Sequence, residues 1–444
     1  MMRETLSGVA GAVGVLAVTA VVGGASPASA QSAPTFTKDV APIFQKKCEA
    51  CHRPDSIAPM SLQTWQQARP WARAIKARVS EHSMPPFQID RTVGITKFKN
   101  DDSLSNEELN TIVKWVDGGA AQGDPKDMPA PVKWADDQGW NFAKVFGQKE
   151  PDLIINSESF TMPAVAQDAW DKRVTESGIT EPRWVRAIEI RPNTVKGRKI
   201  THHAIAYLEQ DEPGATPGLP APFMEWAVGK QGEMMRPDTG KLLLPGSKFR
   251  WDIHYSQAGE EITSNVEMGI YFYPKGQEPK YRNRLSLVPA ALGNLDLRPN
   301  AVTVTEGFYP LRDNARIESF QPHMHLRGKA MLVEAILPNG QRQVLSHAND
   351  FNFQWMTTFV YADDVAPLLP KGTILKVTAW HDNTTAKKTN PDPNQWVGWG
   401  DRTVDEMAHA WINIVYMNDD EYKAETEKRK AAATTNIERQ ERQQ

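Results

Sequence analysis

The run Phe249-Arg250-Trp251-Asp252-Ile253-His254-Tyr255 alternates apolar and polar side chains without a break. Successive side chains of a strand leave opposite faces, so Phe249, Trp251, Ile253 and Tyr255 share one face and Arg250, Asp252 and His254 the other. The stretch therefore reads as a half-buried strand, with His254 on its polar side, facing an exposed cleft. Arg186, Ile188 and Ile190 alternate in the same way with Ala187, Glu189 and Arg191, and Pro338-Asn339-Gly340 is a hairpin turn between two further runs. Short alternating runs with frequent turns from about residue 150 onward predict two all-β sandwiches in tandem.

The pattern ahead of residue 122 is helical. Val40, Ile43 and Phe44 form a stripe leading into Cys48-Glu49-Ala50-Cys51-His52, and Trp71, Ile75 and Val79 recur every four residues. Ser105-Asn106-Glu107-Glu108 is a capping box that opens a third helix, and Gly118-Gly119 closes it. The only two cysteines of the 444-residue chain lie in the C-x-x-C-H motif, the pattern of covalent haem attachment. Helical spacing points Cys48, Cys51 and His52 the same way, so two thioether bonds would set His52 against the iron. A dithiol redox pair or half a zinc site leaves His52 without a role. Met84, in the rigid Ser83-Met84-Pro85-Pro86 segment, is the expected sixth ligand, with Met60 and His82 as alternatives. This part is expected to be a small all-α c-type cytochrome.

Composition narrows the functional classes. The net charge of −3 lacks the basic excess that holds a nucleic-acid backbone, and two cysteines exclude a disulfide scaffold. Arg3, the apolar run from about Leu6 to Val22 and Ala28-Ser29-Ala30 read as a cleaved export leader over residues 1–30, placing the protein in the periplasm or outside the cell with no stable membrane insertion. The expected divisions are then the haem domain 31–122, a linker 123–150, β-domains 151–286 and 287–417, and a charged tail 418–444.

The β half carries His202-His203, His254, His323-Met324-His325 and Met407. On a strand His323 and His325 share a face and can chelate one ion, whereas His202 and His203 can do so only at a strand end, twist or bulge. Imidazoles with a thioether suit copper, and zinc rarely takes methionine. A blue-copper site needs a thiolate, and both cysteines are committed to haem.

These residues resemble the ascorbate-dependent type II copper monooxygenases, the family of peptidylglycine hydroxylating and dopamine β-monooxygenases, in a bacterial form preceded by a cytochrome c. The matching pieces are Thr201-His202-His203-Ala204, Ile253-His254-Tyr255, Pro322-His323-Met324-His325-Leu326-Arg327-Gly328 and Asp405-Glu406-Met407. The resemblance implies two jelly-roll-like domains with two separate copper ions facing each other across a cleft. His202, His203 and His254 would hold the electron-transfer copper, and His323, His325 and Met407 the oxygen-activating one. The chain departs from the family in three ways: it has no cysteine for the family's disulfides, Gln321 stands where amidating members place an arginine, and Trp411 replaces an aromatic hydroxyl. His409 and His381 are additional candidates for supporting or alternative ligation.

The function this implies is hydroxylation of a C–H bond of a small organic substrate by O₂. Electrons would come from an external donor, a cytochrome or small reductant, through the haem to the first copper. The rival reading is a haem- and copper-binding electron-transfer or copper-handling protein without hydroxylase activity.

Overall fold

The computed structural model describes residues 33–54, 56, 58–134, 139–212, 220–227, 230 and 232–441, so the leader expected at 1–30 lies outside the described residues. The principal strands of the first β unit are β1 (Leu153–Asn156), β2 (Ala169–Asp171), β3 (Arg183–Pro192), β4 (Thr201–Glu209), β5 (Ala221–Ala227), β6 (Thr239–Leu243), β7 (Lys248–Tyr255) and β8 (Val266–Phe272). Those of the second are β9 (Tyr281–Ala291), β10 (Val302–Pro310), β11 (Asn314–His323), β12 (Gly328–Ile336), β13 (Arg342–Ala348), β14 (Phe359–Val360), β15 (Ile374–Asp382) and β16 (Ala408–Met417).

One 10-stranded sheet runs through both units, eight of its strands in the order β1-β8-β3-β6-β9-β16-β11-β14 and two short ones, Glu233–Met234 beside β3 and Leu368–Leu369 beside β11, off that path. The parallel pairing of β6 with β9, Thr239 opposite Tyr281, joins its two halves. The first half encloses a core with the β2-β7-β4-β5 sheet, where Ile188, Ile190 and Met268 meet Ala206, Phe249 and Trp251. The second half does the same with the β10-β15-β12-β13 sheet, where Ile317, Phe320 and Ile412 meet Met331, Val333 and Val377. The alternation decides which residues face these cores. Phe249, Trp251, Ile253 and Tyr255 are buried inward, while the opposite face of β4 turns its Ile205 onto Leu285 and Trp411 of the second unit. The polar face of β7 is thus covered: His254 is 2% exposed, where the alternation alone suggested an open cleft.

The expected fold class needs correction at the amino terminus. Strands make up 37% and helices 17%, and among the described residues no self-contained all-α cytochrome domain is evident. Helices α1 (Ala41–Lys47), α2 (Ala72–Ser80) and α3 (Asn106–Asp117) are short and gather around Phe36, Phe44, Ile112 and Trp115. Between α2 and α3, however, the chain leaves them. Pro85-Pro86 stops helical continuation, and the extended Phe87-Gln88-Ile89 alternation places Phe87 and Ile89, later joined by Phe98, in the core of the second sandwich. Ile89 bridges to Ala348 and Phe98 to Tyr361, and the Ile95 N–H donates to the Leu345 carbonyl. At about 1.5–3 kcal/mol for each buried side chain, this strap contributes on the order of 4–9 kcal/mol, a sum comparable to the stability of a whole domain. The helical segment is therefore built into the second sandwich.

The stretch expected to be a linker is also packed. Helix α4 (Asn141–Val145) sets Trp140 and Phe142 against Ala187 and Tyr271, and the buried Glu189 carboxylate accepts from the Asn141 and Phe142 N–H groups. The charged tail forms helix α5 (Asp419–Glu441), anchored where Arg429 lies 3.3 Å from Glu425 and donates to the Ala366 carbonyl. Among the described residues no helix is long and apolar enough to cross a membrane.

Candidate metal centre

The histidines meet where the outer face of the β2-β7-β4-β5 sheet abuts the second sandwich. His203 on β4 pairs directly with His254 on β7, but Tyr255 pairs with Thr201, leaving His202 as the extra residue of a bulge. The bulge resolves the spacing problem of two adjacent histidines, because it releases His202 from strict alternation at the strand end. One ring nitrogen from each of His202, His203 and His254 lies within 4.8 Å of the others. Two of these rings are held by stacking: Trp170 lies 4.7 Å from His254 at an interplanar angle of 7°, and Phe353 lies 4.3 Å from His202 at 17°.

The second set comes from β11 and β16. His323 is opposite His409 in the antiparallel ladder, and their rings stack at 4.5 Å. His325 follows just beyond β11, its ring 5.6 Å from that of His323. The two sets are contiguous, since the rings of His203 and His323 are 5.7 Å apart, edge to face. Phe353 touches both, stacking on His202 and meeting His325 edge-on at 5.8 Å. Met407 lies one residue before β16 and is half-buried, its carbonyl 3.0 Å from His381 Nε2. The ring lying against His323 is that of His409, two residues beyond Met407, with Trp411 edge-on behind it at 5.1 Å.

A buried carboxylate holds the His323-Met324-His325 turn. Glu406 accepts from the His325 N–H at 2.9 Å and the Arg327 N–H at 2.6 Å and stands 3.5 Å from His381 Nε2. Burial alone would raise its carboxyl; His381, then His325 and the Arg327 N–H, outweigh that and hold it low. His325 Nδ1 lies 3.1 Å from the Asp405 carbonyl, which orients its ring. The Arg327 guanidinium, fully buried, donates to Asn383 Oδ1 and the Val404 carbonyl. His381 thus braces the backbone next to Met407. Gln321 is also engaged: its amide donates to Glu225 at 2.7 Å, and its carbonyl accepts from Thr358.

The electrostatics favour neutral imidazoles. Burial first, then neighbouring histidines, lower His202 and His409 to about 3 and push His203 and His323 well below the usual histidine range. His202 Nδ1, His203 Nδ1, His254 Nε2, His323 Nδ1 and His409 Nε2 are buried without a hydrogen-bond partner. His254 Nε2 does lie 3.2 Å from Asp168 Oδ2, within ion-pair reach but off the angle of a formed hydrogen bond. That ring, more than any other neighbour, holds the Asp168 carboxyl low. Neutral, buried ring nitrogens lacking hydrogen are lone-pair donors, the chemistry a borderline or soft transition metal requires.

The C-x-x-C-H segment forms one tight turn: the Cys51 and His52 N–H groups both donate to the Cys48 carbonyl. Neither thiol is in a disulfide, and burial pushes the Cys48 thiol up to about 12, unlike a reactive thiolate. His52 Nδ1 lies 3.2 Å from the Met60 carbonyl, an arrangement that leaves Nε2 free of that contact. Met60 packs against the helical core together with Met128, whereas Met84 sits half-buried past the end of α2 with its N–H on the Arg78 carbonyl.

No protein-family model matches the chain, and no curated protein does. Among solved structures, two of N-glycanase F (PNGase F), one of them described as a glycosylasparaginase from Flavobacterium meningosepticum, align at 10% identity with TM-scores of 0.29 and 0.27. They cover 60% and 59% of this chain and 96% and 97% of their own. The VP2 subviral particle of infectious bursal disease virus aligns at 9% identity over 67% of this chain and 77% of its own, with a TM-score of 0.18. Likenesses at these scores decide neither fold nor activity.

Proposed function

We propose that the chain is a copper-dependent monooxygenase acting outside the cytoplasm, which hydroxylates a C–H bond of a small organic substrate with O₂ and takes electrons through a haem c on Cys48, Cys51 and His52. One observation carries this reading: two histidine sets, one from each sandwich, meet at 5.7 Å, and His202 Nδ1, His203 Nδ1, His254 Nε2 and His323 Nδ1 are buried there without a hydrogen-bond partner. Copper bound there would supply one-electron redox chemistry and the activation of O₂. His202, His203 and His254 are the residues that would hold one ion, and His323 and His325, with Met407 as the resemblance implies, the other. The imidazoles of His202, His203 and His323, held below the usual histidine range by burial, bring no charge, so an ion bound there keeps its own. Glu406 and the Asp405 carbonyl keep His325 oriented, and Phe353, lying across both sets, limits water between them. His52, its Nδ1 beside the Met60 carbonyl, would offer Nε2 to the iron.

The hydroxylation balances as one oxygen atom entering the C–H bond and the other leaving as water, with two electrons and two protons consumed. Metal analysis should find two coppers and one iron per chain. Anaerobic reduction followed by mixing with O₂ should oxidise haem and copper together; a haem that stays reduced for minutes would overturn the electron-feeding role. The abutting His203 and His323 rings give the electron-transfer or copper-handling reading its own support, because they leave little gap between the sets. O₂ uptake accelerated by an organic substrate separates the two, since a carrier shows no such acceleration.

A further inference from the structure

The stretch Asp401–Met407 belongs to the second sandwich, yet it reaches both histidine sets. On one side the Asp405 carbonyl and the Glu406 carboxylate fix His325. On the other, Thr403 Oγ1 donates to Asp168 Oδ2 at 2.6 Å, and Asp401 lies 3.3 Å from Lys172 Nζ. Asp168 Oδ2 is the same atom that stands 3.2 Å from His254 Nε2. Trp170, parallel to the His254 ring at 4.7 Å, restricts its tilt, so the chief remaining choice is a half-turn about the Cβ–Cγ bond, which keeps the ring plane and exchanges its two edges. The Asp168 contact sets that choice, and a ring turned with Nε2 toward a carboxylate presents Nδ1 to a metal.

We propose that Thr403 is a positioning residue for the first metal set: by fixing Asp168 it orients His254, so a loop of the second sandwich tunes the metal held by the first. The inference rests on the reading that His202, His203 and His254 hold copper, and it adds a residue and a direction of control that neither the motif spacing nor the resemblance supplied. Only the hydroxyl of Thr403 reaches Asp168, which makes Val a near-isosteric deletion and Ser a conservative rescue.

The test uses the full chain loaded with one equivalent of Cu(II), with affinity measured by competition and the site read by electron paramagnetic resonance. Loss of an outer partner of a ligating histidine typically costs about 10–100-fold in metal affinity. Thr403→Val should weaken copper binding at this set by about tenfold and shift its hyperfine splitting, Thr403→Ser should restore both, and Asp168→Asn should exceed the Val effect. Wild-type affinity and spectrum in both Thr403→Val and Asp168→Asn would overturn the inference while leaving the copper reading intact. A wild-type chain that binds no copper at His202, His203 and His254 would overturn both.

Discussion

Metal should raise the thermal stability of this protein more than an ordinary surface ligand does, and the histidine junction sets the size of the effect. His202 Nδ1, His203 Nδ1, His323 Nδ1 and His409 Nε2 are buried with no partner. A buried polar group left unpaired costs about 1–3 kcal/mol, so the four together cost on the order of 4–12 kcal/mol. That is as large as the net stability of a typical domain, about 5–15 kcal/mol, and ions held by His202, His203 and His323 relieve the part those three rings carry. Metal held at 100-fold above its dissociation constant adds about 2.7 kcal/mol per site, or about 5 kcal/mol for two. At about 2–4 °C per kcal/mol, the melting temperature should rise by about 10–20 °C. The assay is scanning calorimetry of chelator-treated protein with and without Cu(II), alongside the double variant His203→Ala, His323→Ala. No rise in the wild type, or an equal rise in the variant, would mean that these rings are ordinary packed side chains.

Acid should destabilise the metal-free protein in a defined window. His202 and His409 are lowered to about 3 in the fold, whereas an unfolded histidine titrates near 6.5, so the unfolded chain binds more protons between those values. Their contribution is fully present above pH 6.5 and is lost as pH falls toward 3; at pH 5 each has lost about 2 kcal/mol, from about 1.5 pH units at 1.36 kcal/mol per unit. Denaturant midpoints of chelated protein that coincide at pH 7.5 and pH 5 would refute this. Phe98→Ala should cost about 3–5 kcal/mol, because Phe98 packs on Phe87, Phe359 and Tyr361 inside the second core. A loss below about 1 kcal/mol in urea unfolding would show that the strap is only loosely held.

Much of the β architecture could be read from side-chain period. The 249–255 alternation placed every apolar residue correctly inward, and His203 and His254 fall on the same outer face as Ile205 because a strand repeats every two residues. What period cannot show is what covers a polar face. His254 was expected in an open cleft, but Trp170 stacks on its ring and His202 and His203 lie against it, leaving it 2% exposed. The bulge at His202 was one of several ways its ring could join His203, and nothing local selects among them. His409 carried a signal in its two-residue offset from Met407, but its stacking on His323 depends on the β11–β16 register. The strap was missed for a related reason. Phe87 and Ile89 alternate visibly, yet their core lies some 250 residues further along the chain, beside Ala348. Helical periodicity on either side therefore suggested a closed domain where the chain shares one. Thr403 and Asp168 offered no pattern at all, being ordinary polar residues 235 positions apart.

The β6–β9 pairing bears on how anything reaches the histidines. Two lobes joined by a flexible tether could swing open like a clamshell around a guest molecule. Here the Tyr281 and Arg282 backbone is stitched to Thr239 and Gly240 within one sheet, and hydrogen-bonded strands resist such a hinge. Traffic into and out of the junction must then pass through the loops at its rim, with Phe353 and the Asp401–Met407 stretch as doorposts, and the lobes themselves keep a fixed spacing.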